Sequence, residues 1–198
     1  MGRSAGYYAG ENSEAQTIMG NALNLLMNGN VFLYYGEELG MKGSGKDENK
    51  RAPMYWSKDG NAEGMCKGPA DMDDFRMKFD SLEEQQEDPD SIYNYVKQVI
   101  RVRNQNPVIA RGTTAYLEQY SGEQCFALTR SYEGSNLLLL GNTSAEAVSV
   151  DLTGLTVGGT TAEELVLLGE LYTGEETAER AGTVVTLPAY SILILGEE

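Results

Sequence analysis

Asn30-Val31-Phe32-Leu33-Tyr34-Tyr35-Gly36-Glu37-Glu38-Leu39-Gly40-Met41 decides how this chain is read. A short apolar run stops at Gly36 and gives way to two carboxylates. That is the pattern of a buried parallel strand, residues 31–35, whose carboxyl end opens into a polar site. A helix is expected just before it, over residues 13–28. Ser13-Glu14-Ala15-Gln16 fits a capping box with Ser13 as N-cap. Ile18, Met19, Ala22, Leu23, Leu25, Leu26 and Met27 supply an apolar face at helical spacing, and Gly29 is a good stop. A lone parallel strand leaves unpaired backbone groups on both edges. It therefore expects neighbours that the rest of the sequence does not offer, which argues for truncation.

Downstream, residues 36–80 carry Gly, Asp and Lys without a sustained period and read as a long loop. Ser81-Leu82-Glu83-Glu84 caps a short helical turn. Ser91 opens a longer helix with Ile92, Tyr95, Val96, Val99, Ile100 and Val102 on one side, ended by Pro107. Lys97, Arg101 and Arg103 suit the carboxyl end of its dipole. After Pro107 the apolar period changes from helical to alternating. Strands are expected near 113–120, 124–131, 136–141, 146–152, 165–172, 182–187 and 190–195, a spacing that suggests an antiparallel sandwich. The expected fold class is α+β. Residues 1–106 are expected to hold helix, strand and helix, and residues 107–198 an all-β domain. A complete (β/α)₈ barrel needs about 250 residues, more than the 198 here.

Composition removes several function classes. Fifteen Lys and Arg against 30 Asp and Glu leave a formal charge of −15, which repels phosphate backbones and anionic membranes but not neutral sugars. No nucleic-acid partner is expected. The absence of His excludes a Ser-His-Asp triad, a Cys-His pair and His-ligated metals. Cys66 and Cys125 are too few for a disulfide framework and read as free thiols. No apolar run is long enough to span a membrane. No cofactor or metal is expected. Asp71, Asp73 and Asp74 lack the spacing of a calcium loop and read as solvated acids. Gly40 to Asp47 nearly matches a phosphate-binding loop, but Asp47 replaces the Ser or Thr that holds Mg²⁺. Asn142-Thr143-Ser144 is a formal glycosylation acceptor.

Four segments in order carry a family resemblance. Gly29 to Met41 resembles the eighth barrel strand of the α-amylase family of glycoside hydrolases. Arg51-Ala52-Pro53-Met54-Tyr55-Trp56 is similar to the loop motif that members acting on short α-glucans carry after that strand. Gln85 to Tyr95, followed by Arg101 to Pro107, resembles the eighth helix and its exit. Thr186-Leu187-Pro188-Ala189-Tyr190-Ser191-Ile192-Leu193-Ile194-Leu195 resembles the end of the β domain behind the barrel. The resemblance carried by these four segments implies that residues 1–106 are the tail of a (β/α)₈ barrel. It also implies retaining cleavage of α-glycosidic bonds in starch and maltooligosaccharides by an Asp nucleophile, a Glu acid/base and a second Asp. Carboxyl groups about 5 Å apart suit that double displacement. None of the three maps onto this sequence, so no catalytic residue is assigned and the chain alone is expected to be inactive. The second Asp stands in an Asn-His-Asp motif three residues before an Arg. If Arg3 is that Arg, the Asp falls immediately before Met1.

The substrate-binding candidates are Arg51, Glu37 and Tyr35. The resemblance implies that Arg51 helps hold the non-reducing sugar at the cleavage subsite, a task suited to a planar guanidinium; the alternative is a surface Arg in an acidic loop. Glu37 and Glu38 are adjacent and would point to opposite faces of a continued strand. Either one lines the pocket at the carboxyl face of the barrel, or they are structural carboxylates that accept loop N–H bonds. Tyr34, Tyr35 and Trp56 pair a flat apolar body with a polar tip; core packing is the other role for Tyr34, and bracing its own loop for Trp56. The partner expected for the parent enzyme is an α-glucan. Exposed barrel-facing surface is expected to drive self-association. The alternative is a non-catalytic carbohydrate-binding or structural β domain.

Overall fold

The computed structural model describes residues 2–197. It combines helices with antiparallel sheets. In order, the helices are α1 (Ser13–Leu25), α2 (Asp47–Lys50), α3 (Leu82–Glu87), α4 (Ile92–Gln105) and α5 (Pro107–Arg111). The strands are β1 (Thr113–Tyr116), β2 (Cys125–Tyr132), β3 (Ser135–Asn142), β4 (Val148–Asp151), β5 (Thr156–Val157), β6 (Thr160–Thr161), β7 (Val166–Leu171), β8 (Glu179–Ala181), β9 (Val184–Leu187) and β10 (Ser191–Gly196). Two compact units result. One holds the residues up to Asn24 with Phe32–Lys97, the other Leu25–Val31 with Gln98 onward, so the division falls inside α1 and α4.

The first unit is mostly loop around a small core. Leu39, Met41 and Ala52 are buried, with Met54, Tyr55, Met72, Phe75, Met77, Leu82 and Tyr93 against them. Ile18, Met19 and Ala22 form the buried stripe of α1 in this unit, while Leu23 turns outward. The Gln16 amide donates to the Asn12 carbonyl at 2.9 Å, so α1 starts at 13 as expected, but Ser13 is its first helical residue, not its N-cap. The helix also ends at Leu25, short of 28. The expected capping box at Ser81 is present. Its N–H and hydroxyl both meet Glu84 Oε2, at 3.1 and 2.8 Å.

The expected strand over 31–35 is not formed. Residues 30–34 carry no regular structure, and Phe32 is 86% exposed. The reason is physical: a strand exists through its ladder, and among the described residues no segment pairs with this one. Its carbonyls turn to other donors instead. Asn24 Nδ2 reaches the Phe32 carbonyl at 3.0 Å, and the Glu37 amide reaches that of Tyr34 at 3.0 Å.

The second unit is built on two sheets. β1-β2-β3-β10-β7 form a five-stranded sheet and β4-β9-β8 a three-stranded one, all pairs antiparallel; β5 and β6 make a short hairpin. Alternate residues of β2, β3 and β10 (Ala127, Leu138, Leu140, Leu193, Leu195) share one core with Val150, Val185 and Leu187 from the smaller sheet. Each fully buried Leu in such a core contributes about 1.5–3 kcal/mol relative to exposure. Leu137, Leu139, Ile192 and Ile194 occupy the intervening positions and are also buried. Their face of the sheet is covered in part by α5, which lies against β2 and β3, and by α4, whose Val102 packs on Gly169. A Cβ at Gly169 would stand 2.8 Å from Val102, so the close approach requires glycine.

Two arginines close the carboxyl end of α1. Arg103 donates to the carbonyls of Leu25, Met27 and Gly29 at 2.7, 2.5 and 2.7 Å. Arg130, 5% exposed, donates to those of Leu26 and Ile109 at 3.1 and 2.7 Å. Leu25 is the last residue of α1, and Leu26, Met27 and Gly29 lie in the segment just past it, where a cation is favoured by the dipole. Arg103 was expected to serve its own helix; it serves α1. The formal acceptor Asn142 is fully buried. Its Nδ2 donates to Glu146 and Pro188 at 2.7 and 2.8 Å, and its Oδ1 accepts from the Ser144 amide at 2.9 Å.

Candidate functional site

The site grows from Gly36. This residue is left-handed (φ 82°), and a Cβ on it would lie 2.3 Å from Met41 Sδ and 3.1 Å from Arg3 Nη1. The turn it opens, Glu37–Leu39, is a single 3₁₀ turn closed by Gly40, also left-handed. A Cβ on Gly40 would meet Ile92 and Phe79 at 2.6 Å. Gln85 fixes the same turn from α3. Its buried amide donates to the Leu39 and Asp80 carbonyls at 3.0 and 2.7 Å and accepts from the Tyr93 amide at 3.0 Å.

Arg3 organises what the turn presents. It is 3% exposed. Nη1 donates to the Tyr35 carbonyl and lies 3.7 Å from Glu37 Oε1, while Nη2 donates to the Lys50 carbonyl at 3.0 Å. The guanidinium stands 4.8 Å from the Tyr34 ring centre and 4.6 Å from that of Tyr35, within cation–π range. The two rings are tilted at 53° with centres 4.8 Å apart. Glu37 Oε2 accepts from the Ser4 amide at 3.3 Å and from the Ser4 hydroxyl. Asn21 donates to the Glu37 carbonyl at 3.0 Å. Glu37 thus meets an arginine and a loop N–H, the arrangement of a carboxylate that holds a loop. Among the described residues, Arg3 Nε and Glu38 Oε2 are buried without a protein partner.

Tyr35 is half exposed, and its hydroxyl donates to the Ala52 carbonyl at 2.9 Å. Burial raises its phenol above the ordinary value, Tyr34 adds to this, and Arg3 opposes it. Through Ala52 this bond reaches the loop motif that begins at Arg51. Arg51 ends α2 with its side chain 55% exposed, paired with Glu48 at 3.1 Å. Ala52 is buried in the small core. The carbonyls of Tyr55 and Trp56 accept from the amides of Leu82 and Glu83 at 2.9 and 3.1 Å, satisfying the first N–H groups of α3. The Trp56 backbone braces the loop in this way while its ring stays partly exposed. Tyr35 and Glu37 are therefore gathered around Arg3, and Arg51 stands at the solvent edge.

The loop that nearly matches a phosphate-binding motif has another architecture. Lys46, in the place of the phosphate-binding Lys, pairs with Asp73 Oδ1 at 2.6 Å, and only the four-residue α2 follows. Asn49 is buried and exchanges two bonds of 2.9 Å with Asp73 while donating to the Ser44 carbonyl at 2.7 Å. Hydrogen bonds from Asn49 and then Lys46 hold the Asp73 carboxyl below its ordinary value. Among the described residues no cluster of three His, Cys, Asp or Glu side chains could hold a metal. Arg3 entered the sequence reading only as a position marker, and Gln85 only within a quoted motif. Neither Arg3 nor Asn49 has a periodic signal; each is buried by partners distant in the chain.

The description of the alpha amylase catalytic domain matches residues 1–112. The chain belongs to the alpha-amylase family. Among solved structures, Eubacterium rectale Amy13B is 45% identical over the whole chain with a TM-score of 0.92, and the chain covers 37% of it. Alpha-amylase 3 of Dictyoglomus thermophilum is 30% identical over 97 residues, 49% of this chain and 19% of that protein. The alpha-amylase of Streptomyces lividans is 26% identical over 185 residues, 89% of this chain and 18% of that protein. The chain thus spans about a fifth of these two curated relatives.

Proposed function

We propose that this chain is the carboxyl-terminal part of an alpha-amylase-family glycoside hydrolase. Residues 1–106 are the end of its (β/α)₈ barrel and residues 107–198 a β-sandwich behind it. The parent enzyme hydrolyses α-glycosidic bonds of starch and maltooligosaccharides with retention, using carboxylates supplied by sequence outside these residues. Arg51 and Tyr35 belong to its glucan-binding surface, and Glu37 supports Tyr35 through Arg3.

One observation carries this reading. The chain aligns throughout with Amy13B, yet covers only 37% of it. Three features support it. The family match ends at residue 112, one residue before β1 begins at Thr113. The two sheets that follow share one core, as sandwich layers do. The exposed Phe32 and half-exposed Leu33, Tyr34 and Tyr35 fit a strand whose barrel neighbours lie elsewhere. The test is a glycosidase assay of the isolated chain on maltoheptaose. No product is expected, and clear turnover would refute the assignment of the catalytic groups to other sequence.

A further inference from the structure

A cleft of about 330 Å³ lies in the first unit, lined by Gly6, Lys42, Gly43, Ser44, Asn49, Asp73 and Phe75. This is near the lower end of the volumes typical of small-molecule sites, room for a ligand of one or two rings. Its polar groups are of both signs. The Lys42 ammonium has no hydrogen-bond or ion-pair partner among the described residues and stands 5.7 Å from the Phe75 ring centre. The Asp73 carboxylate is fixed by Asn49 on Oδ2 and Lys46 on Oδ1, and each oxygen keeps a further lone pair for a ligand. Ser44 contributes an exposed hydroxyl, and Phe75 an apolar wall.

We propose that this cleft seats one neutral hexopyranose unit of an α-glucan, with Lys42 donating to a sugar hydroxyl, Asp73 accepting from another and Phe75 flanking the ring. A free donor and a fixed acceptor lining one space match a ligand whose groups both donate and accept, as sugar hydroxyls do. An anion would face Asp73, with Asp71 and Asp74 beside it in sequence and 30 acidic residues against 15 basic in the chain. The choice of a glucan rests on the family reading above; the choice of this cleft does not.

Gly6 provides a clean test. A Cβ there would meet only Ser44, at 3.8 and 4.0 Å, which is ordinary contact, and the residue is not left-handed. Gly6→Leu therefore fills the cleft without straining the fold. Binding of maltotriose and of inorganic phosphate to the full chain is measured by saturation-transfer NMR and calorimetry, for the parent sequence, Gly6→Leu, Lys42→Ala and Arg51→Ala. The expected result is maltotriose binding that weakens at least about tenfold, equivalent to about 1.4 kcal/mol, in both Gly6→Leu and Lys42→Ala. Unaltered circular dichroism in both variants excludes unfolding as the cause. Full-strength binding in Gly6→Leu would overturn the cleft assignment, and loss in Arg51→Ala alone would then leave the Arg51 surface standing. No maltotriose binding by the parent sequence, or phosphate binding in its place, would overturn the neutral-sugar assignment.

Discussion

Arg3 and Glu37, separated by 34 positions, form an ion pair of 3.7 Å in which the arginine side chain is 1% exposed and the glutamate 14%. The pair joins the residues nearest the amino end to the turn after Gly36. Its guanidinium also carries the Tyr35 carbonyl and both tyrosine rings. Removing one partner strands the other charge away from water. Arg3→Met should lower stability by about 3–5 kcal/mol, the cost of breaking a buried pair on one side. Urea unfolding checks this. Arg3→Lys should recover only part of the loss, because an ammonium cannot serve two carbonyls and a carboxylate in one plane.

Gln85 is the second support of the same turn. Gln85→Leu keeps the volume but abandons the Leu39 and Asp80 carbonyls and the Tyr93 amide. Each buried group left unsatisfied costs about 1–3 kcal/mol. The expected loss is larger than for Gln85→Glu, which retains the acceptor. Hydrogen exchange should show the Gly40 amide, bonded to Glu37, opening sooner in Gln85→Leu.

Acid sensitivity should follow the capping carboxylates. The Ser81 hydroxyl and amide, then Lys58, lower the Glu84 carboxyl below its ordinary value of 4.5. A group depressed in the folded state contributes stability above its unfolded pKa and loses it as pH falls through the folded one. Glu84 therefore adds stability at neutral pH that fades below about 4.5. Glu84→Gln should be less stable than the parent chain at pH 7, and the difference should shrink as pH falls toward 3. Denaturant midpoints across that range check the sign.

Asn142 should stay unmodified despite its motif. The side chain is fully buried and uses both ends of its amide. Intact mass after expression in a glycosylating host should show no glycan on the folded chain. Asn142→Ala should destabilise by about 2–4 kcal/mol, since the Pro188 and Glu146 carbonyls and the Ser144 amide lose their partner.

The exposed run Phe32 to Tyr35 should make the isolated chain self-associate, a second copy covering the patch. Sedimentation should show a concentration-dependent dimer that Phe32→Ser weakens. A strictly monomeric sample at all concentrations would contradict this.

What the sequence made legible divides along a physical line. α3, α4 and the seven expected strands all have counterparts because each carries a local pattern: Ser81 before Glu84, Ser91 before an apolar stripe, alternation through Val148 to Asp151. The hairpin β5–β6 and the three-residue β8 are too short to show a period. The run 31–35 has the composition of a buried strand, but strand formation needs partners, and composition cannot supply them. Arg3, Asn49 and Arg130 are polar residues buried by distant contacts, a property that no window of neighbouring residues encodes. Ile100, assigned to the buried side of α4, sits at its margin, 36% exposed.

The proposal that these residues belong to a longer barrel enzyme makes a demand on the gene. Sequencing the genomic reading frame upstream of the Met1 codon tests it most directly. The expected result is an open frame that encodes seven further strands with the six helices between them and closes with Asn-His-Asp, its Asp codon adjoining that of Met1. An in-frame stop codon just upstream, with Met1 as the translated initiator, would contradict it.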